Sequence, residues 1–384
     1  MDLTLDRKQM EFRDEIRSWL ESNVPGEKFE SVSTVEGLAQ HRAWERRLYD
    51  AGFAAINWPT AYGGRGMDAI GTAIFYDEYL RAGAPERISR LALGLAGPTL
   101  IEEGTDAQRS RWLTNMLTGD DIWCQGFSEP DAGSDLASLR TRGEVSGDSI
   151  RVNGQKVWTS HARFANWIFA LVRTDPTAPK HRGITFLMID RHSPGVEVRP
   201  INQMNHAADF AEMFFTDVDV PLENVIGQIN DGWRVAMRTL THERSSNLNT
   251  AAHFRSLLTE MIELIPQELL SERSVHAQVG RLYEDIEAYR YMTLRTLTSL
   301  SEGDEPGAQS MMGKLWWSEL QTRIFDFGLS MLGERAELLE DGSGKISTIF
   351  QRYWVSRAAQ IYAGSNEIQR NIIAERVLGL PKGN

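Results

Sequence analysis

The stretch that decides the fold is Ile150-Arg151-Val152-Asn153-Gly154-Gln155-Lys156-Val157-Trp158. Apolar and polar residues alternate along it, which is typical of a β-strand with one buried face. The Asn153-Gly154 pair at its centre predicts a tight turn and hence a β-hairpin. Further β-rich runs follow with no helical pattern between them: Trp167–Val172, Ile184–Ile189, Val196–Val198 and Met213–Val220. Strands in direct succession indicate a small antiparallel barrel or sandwich and not alternating βαβ units.

Helical patterns lie on both sides of this β-rich region. On the N-terminal side, Asp6 and Gln9 have the spacing of a capping box, and apolar residues then recur at helical spacing. On the C-terminal side, apolar-periodic segments run from Gly232 to Leu378. We therefore predict three domains: a helical domain over residues 1–120, a β domain over residues 121–231 and a helical domain over residues 232–384.

Composition and charge exclude several classes of protein. The chain has 384 residues, with 41 Lys+Arg against 53 Asp+Glu, so its formal net charge is −12. This acidic surplus argues against binding to nucleic acid and against docking on an anionic membrane. No apolar run approaches the length of about 18 residues that a membrane span needs. The first residues, Met1 to Asp6, lack the basic and apolar regions of a signal peptide, so we expect a cytoplasmic protein.

Several common kinds of site have no support in the sequence. The single cysteine, Cys124, excludes an internal disulfide framework and any site with several thiolate ligands. The eight histidines show no metal-ligand spacing, so we predict no metal site. No Gly-x-Gly-x-x-Gly motif follows a strand and no Gly-x-Ser-x-Gly motif is present, which argues against a Rossmann dinucleotide site and an α/β-hydrolase.

Two loops are unusual in composition. The first, Gln125-Gly126-Phe127-Ser128-Glu129-Pro130-Asp131-Ala132-Gly133-Ser134-Asp135, combines hydroxyls, carboxylates and glycines beside a strand. It could place N–H and hydroxyl donors around a planar polar ligand, or it could be a well-capped surface loop. The second is Gly364-Ser365-Asn366-Glu367-Ile368-Gln369-Arg370, in which Asn366 and Gln369 have capping-box spacing. It could present free N–H groups to a polar ligand, or it could be an ordinary helix start.

A pair of charges lies on an otherwise apolar helical stripe. Glu243 and Arg244 follow Leu240 by three and four residues, which places both along that stripe. Charges on a core-facing stripe are rarely buried without partners. The pair is therefore either a structural salt bridge or part of a site.

Taken together, these segments resemble the acyl-CoA dehydrogenase family, over nearly the whole chain. Phe127 to Asp135 matches the family signature [ST]-E-P-x-A-G-S-D. Lys156-Val157-Trp158-Thr159-Ser160 is similar to the family's K-x-W-x-T/S segment, and Ile361 to Arg370 is similar to its C-terminal I-Y-x-G-T-x-x-I-Q-R.

The resemblance implies an α+β fold with an N-terminal helical domain, a central antiparallel β-barrel and a C-terminal four-helix bundle. It also implies FAD bound between barrel and bundle, usually in a homotetramer. The residues that it assigns to the cofactor are Gln125, Gly126, Phe127, Ser128, Gly133, Ser134, Trp158, Thr159, Ser160, Ser365 and Glu367. Among them, Ser128 would hydrogen-bond the N1/O2 edge of the flavin, Trp158 would lie against the ring, and Ser160 would reach N5. The resemblance also places Ser134, Arg244 and Ala363 at the substrate.

The sequence departs from the family pattern at three places. Ala363 stands where the commonest version has its catalytic Glu. The R-Q-F-G segment that contacts a neighbouring subunit's FAD has no clear counterpart between Met261 and Gln278. Leu332-Gly333-Glu334-Arg335 stands where a G-G-x-G is usual. The last two departures leave open a heterotetramer that carries fewer flavins.

The missing Glu makes Glu243 the predicted catalytic base. In some family members the base lies on a bundle helix immediately before an Arg, and Glu243-Arg244 is similar to that arrangement. Asp209 and Glu212 are the alternative carboxylates. Ala363 keeps a backbone N–H, which in the family hydrogen-bonds the thioester oxygen.

The resemblance implies FAD-dependent oxidation of an acyl thioester, on CoA or a carrier protein, to a 2,3-enoyl thioester. An electron-transfer flavoprotein would reoxidise the enzyme. Two alternatives remain: a flavin oxidase or monooxygenase on the same scaffold, and a non-catalytic subunit of a heteromeric acyl-CoA dehydrogenase.

Overall fold

The computed structural model describes residues 5–205, 207–246, 251–302, 309–337 and 345–382, which form twelve α-helices and eight β-strands. The helices are α1 (Arg7–Asn23), α2 (Val35–Asp50), α3 (Ala69–Arg81), α4 (Gly97–Glu103), α5 (Asp106–Thr118), α6 (Gly232–Ser246), α7 (Ala251–Glu263), α8 (Gln267–Leu270), α9 (Arg273–Ser301), α10 (Gln309–Leu332), α11 (Lys345–Ala358) and α12 (Asn366–Ile372). The strands are β1 (Trp123–Gly126), β2 (Arg142–Ser146), β3 (Ser149–Ser160), β4 (Trp167–Arg173), β5 (Ile184–Asp190), β6 (Val196–Ile201), β7 (Phe210–Pro221) and β8 (Val225–Ile226). The order of helical, β and helical regions is that predicted from the sequence.

Contacts between residues divide the chain into two compact units. The bundle unit comprises Met1–Ser22, Asp68–Gly83 and Arg244–Asn384, and the sheet unit comprises Asn23–Met67 and Ala84–Glu243. Each unit therefore combines segments that are distant in sequence. The division into three consecutive domains stays a prediction, because contact units and consecutive domains describe different properties of a chain.

The first helix begins as its sequence predicts. Asp6 Oδ1 accepts a hydrogen bond from Gln9 N at 2.8 Å, and Gln9 Oε1 accepts one from Asp6 N at 3.0 Å. This reciprocal pair confirms the capping box. The apolar stripe of α1 is buried at Phe12, Ile16 and Leu20.

The eight strands form one open, mostly antiparallel sheet. Its order is β6-β7-β3-β2-β4-β5-β8, and β1 pairs in parallel with β4. β6 and β8 end this path, so the described strands do not close into a barrel, and the predicted closed β-barrel is wrong. Alternation and turn residues specify which neighbours pair, whereas closure depends on strands that are distant in the chain.

The hairpin lies earlier in the chain than the sequence predicted. β3 runs unbroken through Asn153-Gly154, and the β2–β3 turn is at Gly147-Asp148, between the paired Ser146 and Ser149. Gly154 marks a β-bulge instead, with φ of 151°. A Cβ at this position would lie 2.7 Å from the Thr141 Cα, so glycine is needed for the close approach of backbone at that point.

The central strands of the sheet unit are buried on both faces. Phe169 and Leu171 of β4 belong to a core shared with helices, whereas Ile168, Ala170 and Val172 belong to a second core formed with β3 and β7. Burial on both faces explains why β4 and β5 are continuous apolar runs without alternation.

The bundle unit has its own core. Four helices, α7, α9, α10 and α11, contribute buried apolar side chains, among them Leu257, Ile286, Leu320 and Ile349. Helices α1 and α3 are joined in the same unit by a bidentate ion pair between Arg17 and Glu78, with N–O distances of 2.9 and 2.7 Å. None of the described helices is long and apolar enough to cross a membrane.

Candidate functional site

The signature loop, residues 127–135, begins where β1 ends in the sheet unit. Gln125 and Gly126 are the last residues of β1, which pairs with β4 up to Gly126 and Ala170. Phe127 is buried, and its ring meets those of Phe169 and Phe186 edge to face, each at 5.8 Å between centroids. These contacts fix where the loop leaves the sheet.

A buried ion pair anchors the loop to β3. Glu129 Oε1 lies 2.8 Å from Lys156 Nζ, and the Lys156 ammonium also donates to the Phe127 carbonyl at 3.1 Å. The Glu129 carboxylate accepts two further hydrogen bonds, from Arg140 N at 2.6 Å and Thr141 N at 2.9 Å. The four contacts satisfy both charges and hold the loop against the strand.

Burial and pairing shift the pKa values of this ion pair. Burial lowers the pKa of Lys156 to about 8, against the opposing effect of Glu129. Burial by itself would raise the pKa of Glu129, but the Lys156 charge and the hydrogen bonds to Thr141 and Arg140 hold it below its usual value. Sequence reasoning quoted both residues within motifs without recognising the pair. The signal that could have found it is one carboxylate and one ammonium within the two motifs that flank the site.

The outer side of the loop presents hydrogen-bond donors. Ser128 is half-buried, and its carbonyl accepts a hydrogen bond from Val157 N at 2.9 Å. Gly133 and Ser134 are exposed, and within the described residues their N–H groups have no acceptor. Free amide N–H groups on a loop that an ion pair holds against a strand can bind the polar edge of a planar ligand.

A bulge in β3 holds Trp158 out of the sheet. The β3–β7 register shifts between Lys156 and Thr159, and Trp158 within the shift has φ of 60°. A non-glycine residue in the left-handed region costs about 1–3 kcal/mol. The indole is 59% exposed and meets the Phe210 ring edge to face at 6.2 Å.

The bulge also places two hydroxyls next to Trp158. Thr159 is fully buried, and its Oγ1 has no hydrogen-bond partner among the described residues, while Ser160 is half-buried. An exposed indole, free loop amides and an unpaired hydroxyl are the groups that a planar heteroaromatic ring with polar edges requires. The sheet-unit residues predicted from the sequence therefore fit a flavin.

Sequence reasoning missed one partly buried side chain next to this bulge, that of His161. His161 also has a left-handed backbone, with φ of 64°, and its ring lies 5.3 Å from that of Phe164. Burial, together with a smaller contribution from the charge of Arg90, lowers the pKa of His161 to about 4, so the imidazole is neutral near pH 7. Nothing in the local sequence marks it, because its burial depends on tertiary packing.

Helix α6 carries the predicted base in its last turn. Position 243 follows the fully buried Thr239 by four residues and Ala236 by seven, so the three positions share one helical face. The side chains of Glu243 and Arg244 lie outside the described residues. Of the alternative carboxylates, Asp209 is exposed, and Glu212 accepts a hydrogen bond from Gln155 Nε2 at 3.0 Å.

Two contacts with α4 fix α6 in the sheet unit. The hydroxyls of Thr99 and Thr239, both fully buried, lie 2.9 Å apart. Glu103 lies 2.6 Å from Arg234 Nη1 and 3.0 Å from Arg238 Nε. The position of the helix that carries Glu243 is therefore set by its neighbour α4.

The bundle unit contains the C-terminal loop. Ala363 and Gly364 have φ of 53° and 82°, and Ser365 is the N-cap of α12, its hydroxyl accepting from Ile368 N at 3.4 Å. The predicted capping box of Asn366 and Gln369 is wrong, because the Asn366 side chain is buried and accepts from Lys314 instead. Glu367 is exposed in the first turn of α12.

The described residues contain no group of three or more His, Cys, Asp or Glu side chains that could hold a metal ion. Cys124 is buried, and burial raises the pKa of its thiol, so it is not a nucleophile near neutral pH.

Family comparisons cover nearly the whole chain. Residues 6–120 match the acyl-CoA dehydrogenase N-terminal domain, residues 124–218 the acyl-CoA dehydrogenase middle domain, and residues 230–378 the acyl-CoA dehydrogenase C-terminal domain.

Full-length relatives and solved structures agree with these matches. The chain is 39% identical to acyl-CoA dehydrogenase IpdE1 of Mycobacterium tuberculosis, over 97% of this chain and 98% of the relative. It is 31% identical to acyl-CoA dehydrogenase FadE26 of the same organism, over 100% of both chains. Its fold is similar to that of the Tcur3481-Tcur3483 steroid ACAD, with a TM-score of 0.88, 28% identity and 100% of both chains covered. It is also similar to the ChsE4-ChsE5 complex from Mycobacterium tuberculosis, with a TM-score of 0.87, 31% identity and the same coverage.

Proposed function

The chain belongs to the acyl-CoA dehydrogenase family of flavin-dependent oxidoreductases, and from this premise we propose the cofactor, catalytic base, substrate class and partner of its site. The reaction removes the α-proton and the β-hydrogen of an acyl thioester and leaves a 2,3-enoyl thioester. The observation that carries the site assignment is the bulge in β3, which exposes Trp158 next to the signature loop. Val157, its neighbour, is hydrogen-bonded to that loop at Ser128.

We propose FAD as the cofactor. A bound flavin would accept the β-hydrogen as a hydride. In the sheet unit, Trp158 would support the ring, Ser160 would donate to N5, and Ser128 with the amides around Gly133 and Ser134 would donate to the N1/O2 edge. Donors at that edge stabilise the charge that develops on reduction, by the same electrostatic principle as an oxyanion hole. In the bundle unit, Ser365 and Glu367 would contact the cofactor beyond the ring.

The chain's own residues handle the α-proton. Glu243 accepts the α-proton, because Ala363 has no carboxylate. Arg244 binds the substrate and keeps it in position. The Ala363 N–H donates to the thioester oxygen, which makes the α-carbon more acidic. The placement of position 243 on the face of α6 that contains Thr239 supports this assignment.

We propose a steroid-derived acyl-CoA as the substrate and a sister chain as a partner. A structure similar to this chain along its whole length is named a steroid ACAD, and another is a complex of two differently named chains. The absence of clear R-Q-F-G and G-G-x-G counterparts in this sequence also favours a site that a different chain completes. An electron-transfer flavoprotein is the proposed oxidant.

The test is to analyse cofactor and product of the purified protein, alone and with a sister chain. Denaturation should release FAD. Incubation with a mixed panel of straight-chain, branched and steroid-side-chain acyl-CoA thioesters should give an enoyl product 2 Da lighter than one of the steroid members, detected by mass spectrometry. Trp158→Ala should lower FAD occupancy, whereas Tyr283→Ala, at an aromatic residue that is 52% exposed, should not.

Three results would each contradict part of the proposal. Release of FMN would contradict the cofactor. Rapid reoxidation by air with no enoyl product would point to an oxidase. Turnover that requires a sister chain and survives loss of Glu243 would make this chain a non-catalytic subunit.

A further inference from the structure

The bundle unit contains a buried cation that the proposed function does not use. Lys314 on α10 is 6% exposed, and no described carboxylate lies within ion-pair distance of its ammonium. Nζ donates to Asn366 Oδ1 at 2.9 Å. Burial lowers the pKa of Lys314 to about 8, and the charge of Glu367 opposes this effect. The direct contact of this cation is therefore a hydrogen bond to a neutral side chain, and the charge of Glu367 acts on it only from a distance.

Asn366 connects Lys314 to the C-terminal loop. It is 2% exposed, and its Oδ1 accepts a second hydrogen bond from Ser318 Oγ at 3.0 Å. Its own N–H donates to the Gln360 carbonyl at 2.9 Å. Asn366, the first residue of α12, is therefore hydrogen-bonded both to α10 and to Gln360, which precedes the turn.

The turn between Gln360 and Asn366 is the one that contains Ala363. Gln369, which is 3% exposed, donates from Nε2 to the Ala363 carbonyl at 3.3 Å. A Cβ at Gly364 would lie 2.5 Å from the same Nε2, so the side chain of Gln369 lies directly against the turn. Ala363 has the left-handed φ of 53°, and such a conformation persists only where its surroundings fix it.

We propose that Lys314 is a positioning residue for the acyl thioester. By holding Asn366 through its amide oxygen, it fixes the left-handed turn at Ala363 and so orients the Ala363 N–H that activates the thioester carbonyl. This inference rests on the proposed function, because it takes the role of that N–H from it. Ser318 supplies the second hydrogen bond to Asn366 and supports the same orientation.

The experiment compares Lys314→Met with wild type in the flavin-loaded enzyme, with its sister chain present if flavin binding requires it. Stopped-flow absorbance gives the limiting rate of flavin reduction and the apparent dissociation constant of the acyl-CoA that the panel identifies. We expect the limiting rate to fall about 10-fold with flavin content unchanged, a fraction of the 10²–10³-fold that loss of a whole oxyanion donor causes. Hydrogen exchange of the peptide spanning residues 361–366, measured without substrate, should become faster.

Matched variants separate positioning from general destabilisation. Asn366→Asp keeps an acceptor oxygen for Lys314 and should retain most of the rate, whereas Asn366→Leu should lower it as Lys314→Met does. The double variant Lys314→Met/Asn366→Leu should lose no more than either single variant, because both break one connection. Lys8→Met, which removes an exposed ammonium from α1 in the bundle unit, should change neither readout.

Two results would overturn the proposal. One is a wild-type limiting rate in Lys314→Met together with unchanged exchange of residues 361–366. The other is a decrease in the limiting rate of flavin reduction that is fully explained by a decrease in bound flavin. If wild type itself yields no enoyl product, the proposed function fails, and the exchange measurement still decides whether Lys314 fixes the turn.

Discussion

At the scale of single residues, the buried pair of Glu129 and Lys156 holds the signature loop against β3. The two side chains are 8% and 0% exposed, respectively. Their charges are compensated by each other and by hydrogen bonds to the backbone of Phe127, Arg140 and Thr141. Removal of one partner from a buried ion pair is strongly destabilising, by about 3–5 kcal/mol, because the other charge is left buried without compensation.

Lys156→Met should therefore lower both the melting temperature and the FAD occupancy of the purified protein. Lys180→Met is the matched control, because Lys180 pairs with Asp135 of the same loop but both side chains are at least half exposed. Exposed pairs contribute about 0–1 kcal/mol, so this variant should retain its flavin. Melting curves and the ratio of absorbance at 450 and 280 nm measure both effects. Equal flavin loss in the two variants would show that the buried pair has no special role.

The cofactor residues named by the motif stay predictions, whereas one N-cap that depends on packing was predicted at the wrong residue. Ser128, Gly133, Ser134 and Trp158 have the exposure and free donors that a cofactor site needs. The N-cap of α12 was predicted one residue late, at Asn366, because Ser and Asn are both good N-caps. The Ser365 hydroxyl caps the helix, and the Asn366 side chain is buried against Lys314.

At the scale of elements, the sequence predicts which segments are strands better than where they turn. The run from Met213 to Val220 lies within β7, and the two runs after the predicted hairpin lie within β4 and β5. Asn153-Gly154 has the composition of a type I′ turn, but Gly154 instead allows the backbone of β3 to pass close to the backbone of Thr141. Dipeptide statistics cannot separate these two uses of glycine, since the second depends on Thr141, which precedes β2 and is distant from the dipeptide in sequence.

Helix α6 depends on a contact that periodicity cannot reveal, the hydroxyl pair of Thr99 and Thr239. Each hydroxyl also lies within hydrogen-bond distance of the carbonyl four residues before it, at Leu95 or Val235, but the hydroxyl that donates to its partner cannot donate to its carbonyl at the same time. Thr239→Val keeps the shape of the side chain and removes this link, so we expect a loss of about 1–2 kcal/mol in the free energy of unfolding.

A double-mutant cycle isolates the pair. Thr99→Val and Thr239→Val should be non-additive by about 0.5–1 kcal/mol, because each removes the same hydrogen bond. Thr259→Val serves as the control, since Thr259 is exposed on α7 and bonds the Arg255 carbonyl of its own helix. Chemical denaturation measures all the variants. Strict additivity of the Thr99 and Thr239 changes would contradict a direct link between α4 and α6.

At the scale of the whole molecule, the sequence predicts the order of helical and β regions but not how they associate. Local periodicity defines each element, whereas the open sheet and the grouping of residues 68–83 with the C-terminal helices depend on contacts between distant segments. The net charge of −12 acts at this scale too. It favours a neutral or basic surface on any protein that delivers substrate or accepts electrons, because an acidic surface would be repelled.

We propose that this molecule dehydrogenates an acyl thioester with Glu243 as the base. Glu243→Gln tests it most directly, because it keeps the shape of the side chain and removes the proton acceptor. The variant should bind FAD as wild type does, while substrate-driven bleaching of the flavin slows by at least 10²-fold, as is typical of the loss of a general base. Asp209→Asn and Glu212→Gln, at the two alternative carboxylates, should bleach at the wild-type rate. A Glu243→Gln variant that reduces its flavin as fast as wild type would contradict the claim.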